Sequence, residues 1–328
     1  MTREVGIQDI PGFQIGNAQD LEGATGCTVI LCPQGAVAGV DVRGGAPGTR
    51  ETDLLKSENY VEKIHGLLLA GGSAYGLDAA AGIMQYLEEK NVGFDVSVAK
   101  VPIVAGAVLF DLTCGDPGVR PDKLMGYQAC IAAQGRDFAE GSYGAGTGAT
   151  VGKFFGVEHA MKGGLGTFCL QTGDLIVGAV VAVNCLGDVI DPAKGQIIAG
   201  AYRSEPFSFL GTEDQMIACY DKSVNAFAGN TTIGAIITNG ALTKPNANKI
   251  ASMAHNGYAR TMRPAHTMFD GDTIFVLATG EVAADVNVVG MLAARIMEQA
   301  IVRAVKQATP LGGYKAYQDI CALSKKDR

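Results

Sequence analysis

The stretch AGNTTIGAIITN, residues 228–239, decides how this chain is read. Asn230, Thr231 and Thr232 stand before an apolar, β-branched run, 232–238, that predicts a strand. Asn-Thr-Thr is an ordinary turn signal. It is also a place where a backbone can cut itself. A threonine hydroxyl is a poor nucleophile without a base, but a chain-terminal threonine carries one. Its α-amine has an unperturbed pKa of roughly 7.7–8.0 and lies a few bonds from the hydroxyl. The precursor can make such a cut unaided: the Thr231 hydroxyl attacks the Asn230 carbonyl, the peptide shifts to an ester, and water completes the break. Gly229 lets the backbone take the strained geometry, and the strand behind holds the new terminus. From these residues alone, the turn and the cut both stay open.

The rest of the chain narrows the classes. Its 328 residues allow one large domain or two ordinary ones. With 48% hydrophobic and 18% charged residues it can bury a large core and is not disordered. A net charge of −7 argues against a nucleic-acid partner. No apolar run reaches the roughly 18 residues that span a membrane, and the start of the chain lacks a basic-then-apolar leader. A cytoplasmic protein without a membrane partner is therefore expected. Cysteines 27, 32, 114, 130, 169, 185, 219 and 321 form no C-x-x-C, and the histidines do not join them at zinc spacing. Reduced, packed thiols are expected, with no metal or cofactor. The 45 glycines are about twice the usual share and have no period, which points to tight turns and close backbone approaches.

Periodicity gives the elements. Residues 27–32 and 36–42 read as strands joined by a Pro-Gln-Gly hairpin signal. Residues 65–70 read as a buried strand, 75–90 as a helix ended by Asn91-Val92-Gly93, and 101–109 as an apolar strand with Pro102 near an edge. A helix is predicted over 121–134, a Gly/Thr loop over 141–152, and strands over 166–170 and 175–185. Residues 192–228 show little periodicity and read as a connector. Beyond Thr231, a helix is predicted over 245–258, a strand over 273–278 and a long helix over 288–307. Strands often follow one another without a helix between, which favours a layered α+β fold over a doubly wound sheet.

The sites offer several chemistries. YGAGTGATVGKF, residues 143–154, fails the Walker A pattern twice, in spacing and in Phe154 where a hydroxyl belongs. Its formal dinucleotide match lacks a preceding strand. A tight loop that delivers Lys153 to a site fits better. His255 and His266 read as packing or surface residues, and there is no G-x-S-x-G elbow. In FDGDT, Asp270 and Asp272 would point to one side of an extended backbone and share a small volume, so that one holds its proton more tightly. A turn facing water is the plainer reading of the same residues. Asn184 closes a strand, either as a turn starter or as an oxyanion donor, and Lys153 taken alone reads as a solvated charge.

Six segments together resemble the self-processing β-aminopeptidase family. That family includes L-aminopeptidase/D-alanyl esterase-amidases, β-peptidyl aminopeptidases and 6-aminohexanoate-oligomer endohydrolases. The segments are VDVRGGAPGTRETDLL from Val40, LAGGSAYGLDAAAG from Leu69, GAGTGATVGK ending at Lys153, VVAVNCLGDV around Asn184, GNTTIGAIITN from Gly229 and RPAHTMFDGDTIFVLATG from Arg263. The resemblance covers nearly the whole chain. It implies a four-layer αββα sandwich of the self-processing N-terminal-nucleophile type and a single domain cut into 1–230 and 231–328. It also implies a homotetramer of cleaved protomers. By resemblance Thr231 is the nucleophile after Asn230, Asn184 lies near the oxyanion, Lys153 is a site lysine, and Asp270 and Asp272 are the polar pair after the nucleophile strand. Phe110 stands where some members carry a tyrosine, so a phenol donor is missing from the substrate pocket.

The activity implied is hydrolysis of amide bonds in small peptides, amino-acid amides or related oligoamides through an acyl-threonine. The α-amine of Thr231 would activate its own hydroxyl, and Asn184 with backbone N–H groups would stabilise the oxyanion. Asp270 and Asp272 would hold an ammonium group, with Lys153 balancing their charge. The rivals are acyl transfer of the ornithine acetyltransferase type and a non-catalytic small-molecule binding protein on the same scaffold.

Overall fold

Residues 175–183, LIVGAVVAV, are apolar at every position and all nine are buried, as befits a strand covered on both faces. The computed structural model describes residues 2–221 and 229–326. Ten strands form one mixed sheet: β1 (Thr2–Glu4), β2 (Gln14–Asp20), β3 (Thr25–Val42), β4 (Gly48–Arg50), β5 (Lys63–Ala70), β6 (Val104–Val108), β7 (Gly164–Thr172), β8 (Leu175–Val183), β9 (Ile233–Ala241) and β10 (Thr273–Ala283). Their order is β1-β7-β8-β9-β10-β3-β5-β6-β4, with β2 pairing on β3. The helices are α1 (Ala79–Glu89), α2 (Lys123–Ala132), α3 (Thr212–Ala218), α4 (Lys244–Thr261), α5 (Val286–Gln307) and α6 (Tyr317–Lys326). The large mixed sheet with its helices is an α+β arrangement. No described helix is long and apolar enough to cross a membrane.

Alternation along the strands sorts the core into three main clusters. Ile236 of β9 and Ile274 and Val276 of β10 pack with Ile250 and Ala254 of α4 and Ile296 and Ala300 of α5. Their neighbours Ile233, Ala235, Ile237, Phe275 and Leu277 face the other way and pack with Ile30 of β3 and Leu67 and Leu69 of β5. Leu68 and Ala70 of β5 in turn pack with Ala80, Ile83 and Leu87 of α1 and Ala129 of α2.

Several expectations are corrected. The hairpin at Pro33-Gln34-Gly35 does not form. The chain runs on as the single strand β3, and its pairing with β5 shifts register between Leu31 and Ala36. A bulge absorbs the turn residues, because the chain keeps its partner β5 on both sides of them. The apolar run 101–109 breaks at Pro102. Lys100–Val101 pairs back on Phe94–Asp95, and β6 starts at Val104. The helix expected from residue 75 opens with a 3₁₀ turn over Ser73–Asp78 before α1. The connector 192–228 carries strands Gln196–Ala199, Tyr202–Ser204 and Phe207–Phe209 and helix α3, and its last part, 222–228, lies outside the described residues.

Candidate active site

β9 begins at Ile233, antiparallel to β8 and parallel to β10. The residues just before it are therefore flanked by those that end β8 and those that lead into β10. Asn230 bridges Asp270, and the Thr231 N–H donates to the Asn184 carbonyl at 2.9 Å. The Thr232 N–H donates to Asp272 Oδ1 at 2.9 Å. The Thr231 hydroxyl lies 2.5 Å from the Asn230 carbonyl oxygen, which also accepts the Gly271 N–H at 2.9 Å. A Cβ at residue 271 would sit 2.6 Å from Thr231 Oγ1, so a glycine there makes room for the hydroxyl. Thr232 is turned inward, with its hydroxyl against Met262 Sδ at 3.3 Å.

The Gly-rich loop does deliver Lys153. Gly152 has φ +75, and its Cβ would meet the Ala201 nitrogen at 2.0 Å, so the loop closes tightly only on glycine. The Lys153 and Gly152 N–H groups donate to Leu186 and Gly187. Lys153 Nζ then reaches Asn184 Oδ1 at 2.9 Å, the Asn184 carbonyl at 3.1 Å and the Gly229 carbonyl at 3.3 Å. It is not a solvated charge: burial holds its pKa down, to about 7, against a pull upward from Cys185 and Asp270. Asn184 is fully buried. Its Oδ1 accepts the Thr150 N–H at 2.9 Å, and its Nδ2 donates to the Phe110 carbonyl at 3.0 Å and the Gly229 carbonyl at 3.4 Å. The asparagine thus grips the residue before Asn230, and the Asn230 oxygen accepts from the Thr231 hydroxyl and the Gly271 N–H.

Asp270 and Asp272 are fully buried, which corrects the water-facing turn. They also have separate sets of donors. Asp270 Oδ2 accepts from the Thr267 N–H at 3.0 Å and the Thr267 hydroxyl at 2.5 Å. Asp272 Oδ2 accepts from His266 N at 3.0 Å, with His266 Nδ1 at 2.9 Å from the same oxygen. Burial, and next the charge of Asp272, push the Asp270 carboxyl up to about 6. Residues 43–46 fix this segment: Arg43 N donates to the Asp272 carbonyl at 2.9 Å and Ala46 N to the Asp270 carbonyl at 2.8 Å. A Cβ on Gly44 would meet the Asp270 oxygen at 2.3 Å.

Asn230 and Thr231 open onto a cavity of about 140 Å³. Pro47, Ser73, Val108, Phe110 and Phe269 are among its walls. The structure thus gathers Thr231, Asn230, Asn184, Lys153, Asp270, Asp272 and Phe110. Sequence reasoning missed the Gly271 N–H, the His266 contact and Ser73, whose φ of +54 puts a non-glycine residue in left-handed backbone at the cavity wall. The spacing D-G-D could have flagged Gly271, and nothing in the local sequence flags Ser73.

The model of peptidase family S58 matches residues 6–318. An uncharacterized aminopeptidase of Mycobacterium tuberculosis is 43% identical over 345 aligned residues, covering 96% of this chain and 97% of the relative. A 6-aminohexanoate-oligomer endohydrolase of Kocuria sp. is 33% identical over 317, covering 91% of this chain and 85% of the other. Among solved structures, the L-aminopeptidase D-Ala-esterase/amidase of Ochrobactrum anthropi, a variant of the Ntn hydrolase fold, superposes with a TM-score of 0.71 at 18% identity over 98% of this chain and 93% of that one. A β-aminopeptidase of Burkholderia sp. gives 0.70 at 19% identity over 99% and 94%. The fold is thus that of the Ntn hydrolase aminopeptidases, and the chain belongs to peptidase family S58, as a hydrolase of peptide or amide bonds.

Proposed function

We propose that the chain cuts its own Asn230–Thr231 bond and then works as an amidohydrolase with Thr231 as an amino-terminal nucleophile. The observation that carries this is the Thr231 hydroxyl 2.5 Å from the Asn230 carbonyl oxygen, with the Gly271 N–H on that same oxygen. In the cut, Thr231 Oγ loses its proton to a site base and bonds to the Asn230 carbonyl carbon. The C–N bond breaks, the Thr231 nitrogen takes a proton, and an ester is left. Gly271 N–H stabilises the oxyanion. Water hydrolyses the ester to the Asn230 carboxylate and releases Thr231 with a free amine, as fragments 1–230 and 231–328 of one domain. Lys153 and Asp270, with pKa values of about 7 and about 6, are suited to exchange protons near neutrality.

In turnover the Thr231 amine takes the proton of its own hydroxyl, and the oxygen attacks a substrate amide carbonyl. The amine leaves with a proton, and water hydrolyses the acyl-threonine. The substrates are small peptides, amino-acid amides or oligoamides, the classes named for the relatives. The three core clusters favour a four-layer αββα sandwich of the self-processing type, with α4 and α5 outside one layer of strands and α1 and α2 outside the other. The working form is a homotetramer of cleaved protomers in the cytoplasm. Intact mass after expression tests the reading: two fragments meeting at 230/231 are expected, and a single chain from Thr231→Ala. Two fragments from Thr231→Ala would overturn it. The cleaved protein should also give a burst of product from an activated ester.

A further inference from the structure

Resting on the reading of Thr231 as nucleophile, we propose that His266 is a positioning residue that sets the nucleophile through Asp272. Two groups of this one residue, the backbone N–H and ring Nδ1, meet Asp272 Oδ2 at 3.0 and 2.9 Å. The other oxygen of the same carboxylate accepts the Thr232 N–H at 2.9 Å. One carboxylate therefore links His266 to the peptide that joins Thr231 to Thr232. Without the ring, the carboxylate could rotate and release that peptide, and the hydroxyl of Thr231 would drift from its carbonyl.

Three further observations mark the arrangement as built. His266 adopts φ +60, a left-handed conformation that non-glycine residues rarely take. Its ring lies edge-on to His255, with centroids 4.8 Å apart, and is stacked on Tyr258 at 6.0 Å. His255 is itself anchored, with Nε2 3.0 Å from the Asp41 carbonyl. The buried His266 Nε2 has no hydrogen-bond partner among the described residues, so the ring's polar contact there is the one to Asp272, and the packing of His255 and Tyr258 holds it in place. With Nδ1 against the carboxylate, the proton belongs on Nδ1.

The substitutions His266→Gly and His266→Asn separate positioning from packing. Glycine relieves the backbone and removes the side-chain donor. Asparagine tolerates left-handed backbone and places an amide N–H where Nδ1 stands. His266→Gly should slow self-cleavage about 100-fold, as expected when a reacting group is displaced by ~1 Å. It should lower kcat of the cleaved enzyme on a p-nitroanilide substrate more than it raises KM. His266→Asn should recover most of both. Deuterium uptake at the peptide containing Thr232, measured in Thr231→Ala chains, gives a readout that does not depend on cleavage. Exchange should quicken in His266→Gly and return toward the parent in His266→Asn. Equal uptake in all three chains, or an Asn variant no better than Gly, overturns the inference even if the wild type cuts itself. If the wild type stays uncut while uptake follows the expected order, the positioning role stands and the self-processing reading fails.

Discussion

Lys153 shows how one buried amine ties the site to stability. Its folded pKa of about 7 lies below its ordinary 10.5 because burial disfavours the charge. Between those values the unfolded chain holds a proton that the folded chain has given up. Stability from this group therefore rises as pH climbs through that window, by up to about 1.4 kcal/mol per pH unit. Lys153→Met should flatten the rise. Urea unfolding of Thr231→Ala and of the double variant at pH 7, 8 and 9 measures both slopes, and parallel slopes would contradict the burial argument. At this scale the residues themselves left Thr231, Asn184, Lys153, Asp270 and Asp272 open to ordinary readings and the family resemblance singled them out; the structure brings all five together at the start of β9. The sequence did not mark the Gly271 N–H, since every residue but proline has such a donor and only the fold aims it. Nor did it raise His266 above packing, because that role depends on a carboxylate six residues on and a backbone angle no residue type announces.

The elements obey periodicity where packing agrees with it. α5 follows the spacing of Val289, Leu292, Ala293, Ile296, Ala300 and Ala304, and Asp285 caps it through the N–H groups of Asn287 and Val288. This helix lies so close to β7 that a Cβ on Gly166 would stand 2.1 Å from the Ala300 oxygen and 2.5 Å from the Ala304 nitrogen. Gly166→Ala should push helix from strand and cost roughly 1–3 kcal/mol, read as a lower urea midpoint. An unchanged midpoint would mean that the helix yields freely. The β3 bulge shows where local reading stops. Pro-Gln-Gly carries a turn signal, yet the apolar residues on both sides of it gain more by staying paired with β5.

Across the molecule, the cut proposed at 230/231 would divide the sheet's interior. β9 and β10 belong to the second fragment, yet they lie side by side between β8 and β3 of the first. Ile236, Val276 and Ile296 from one piece and Val177 and Val181 from the other belong to one core cluster. The fragments should therefore co-elute on size exclusion and part only on a denaturing gel. Separation in native buffer would show that the ladders β8–β9 and β10–β3 do not hold the two pieces together.

By itself, the sequence determined the α+β class and most of the long strands and helices, and it supplied the side chains that the structure gathers around Thr231. Hydrophobic period and residue chemistry are written into neighbouring positions. Only the tertiary structure decided which backbone donor meets the Asn230 carbonyl, how Asp270 and Asp272 divide their partners, and how far burial shifts Lys153. Some partners are near neighbours, as His266 and Thr267 are to their carboxylates, but others, such as Lys153 and Asn184 or Ala46 and Asp270, are distant in the chain and meet out of water, in the room glycines such as Gly44 and Gly271 leave for them. Solvent exclusion and close approach come from packing, so no window of sequence contains them.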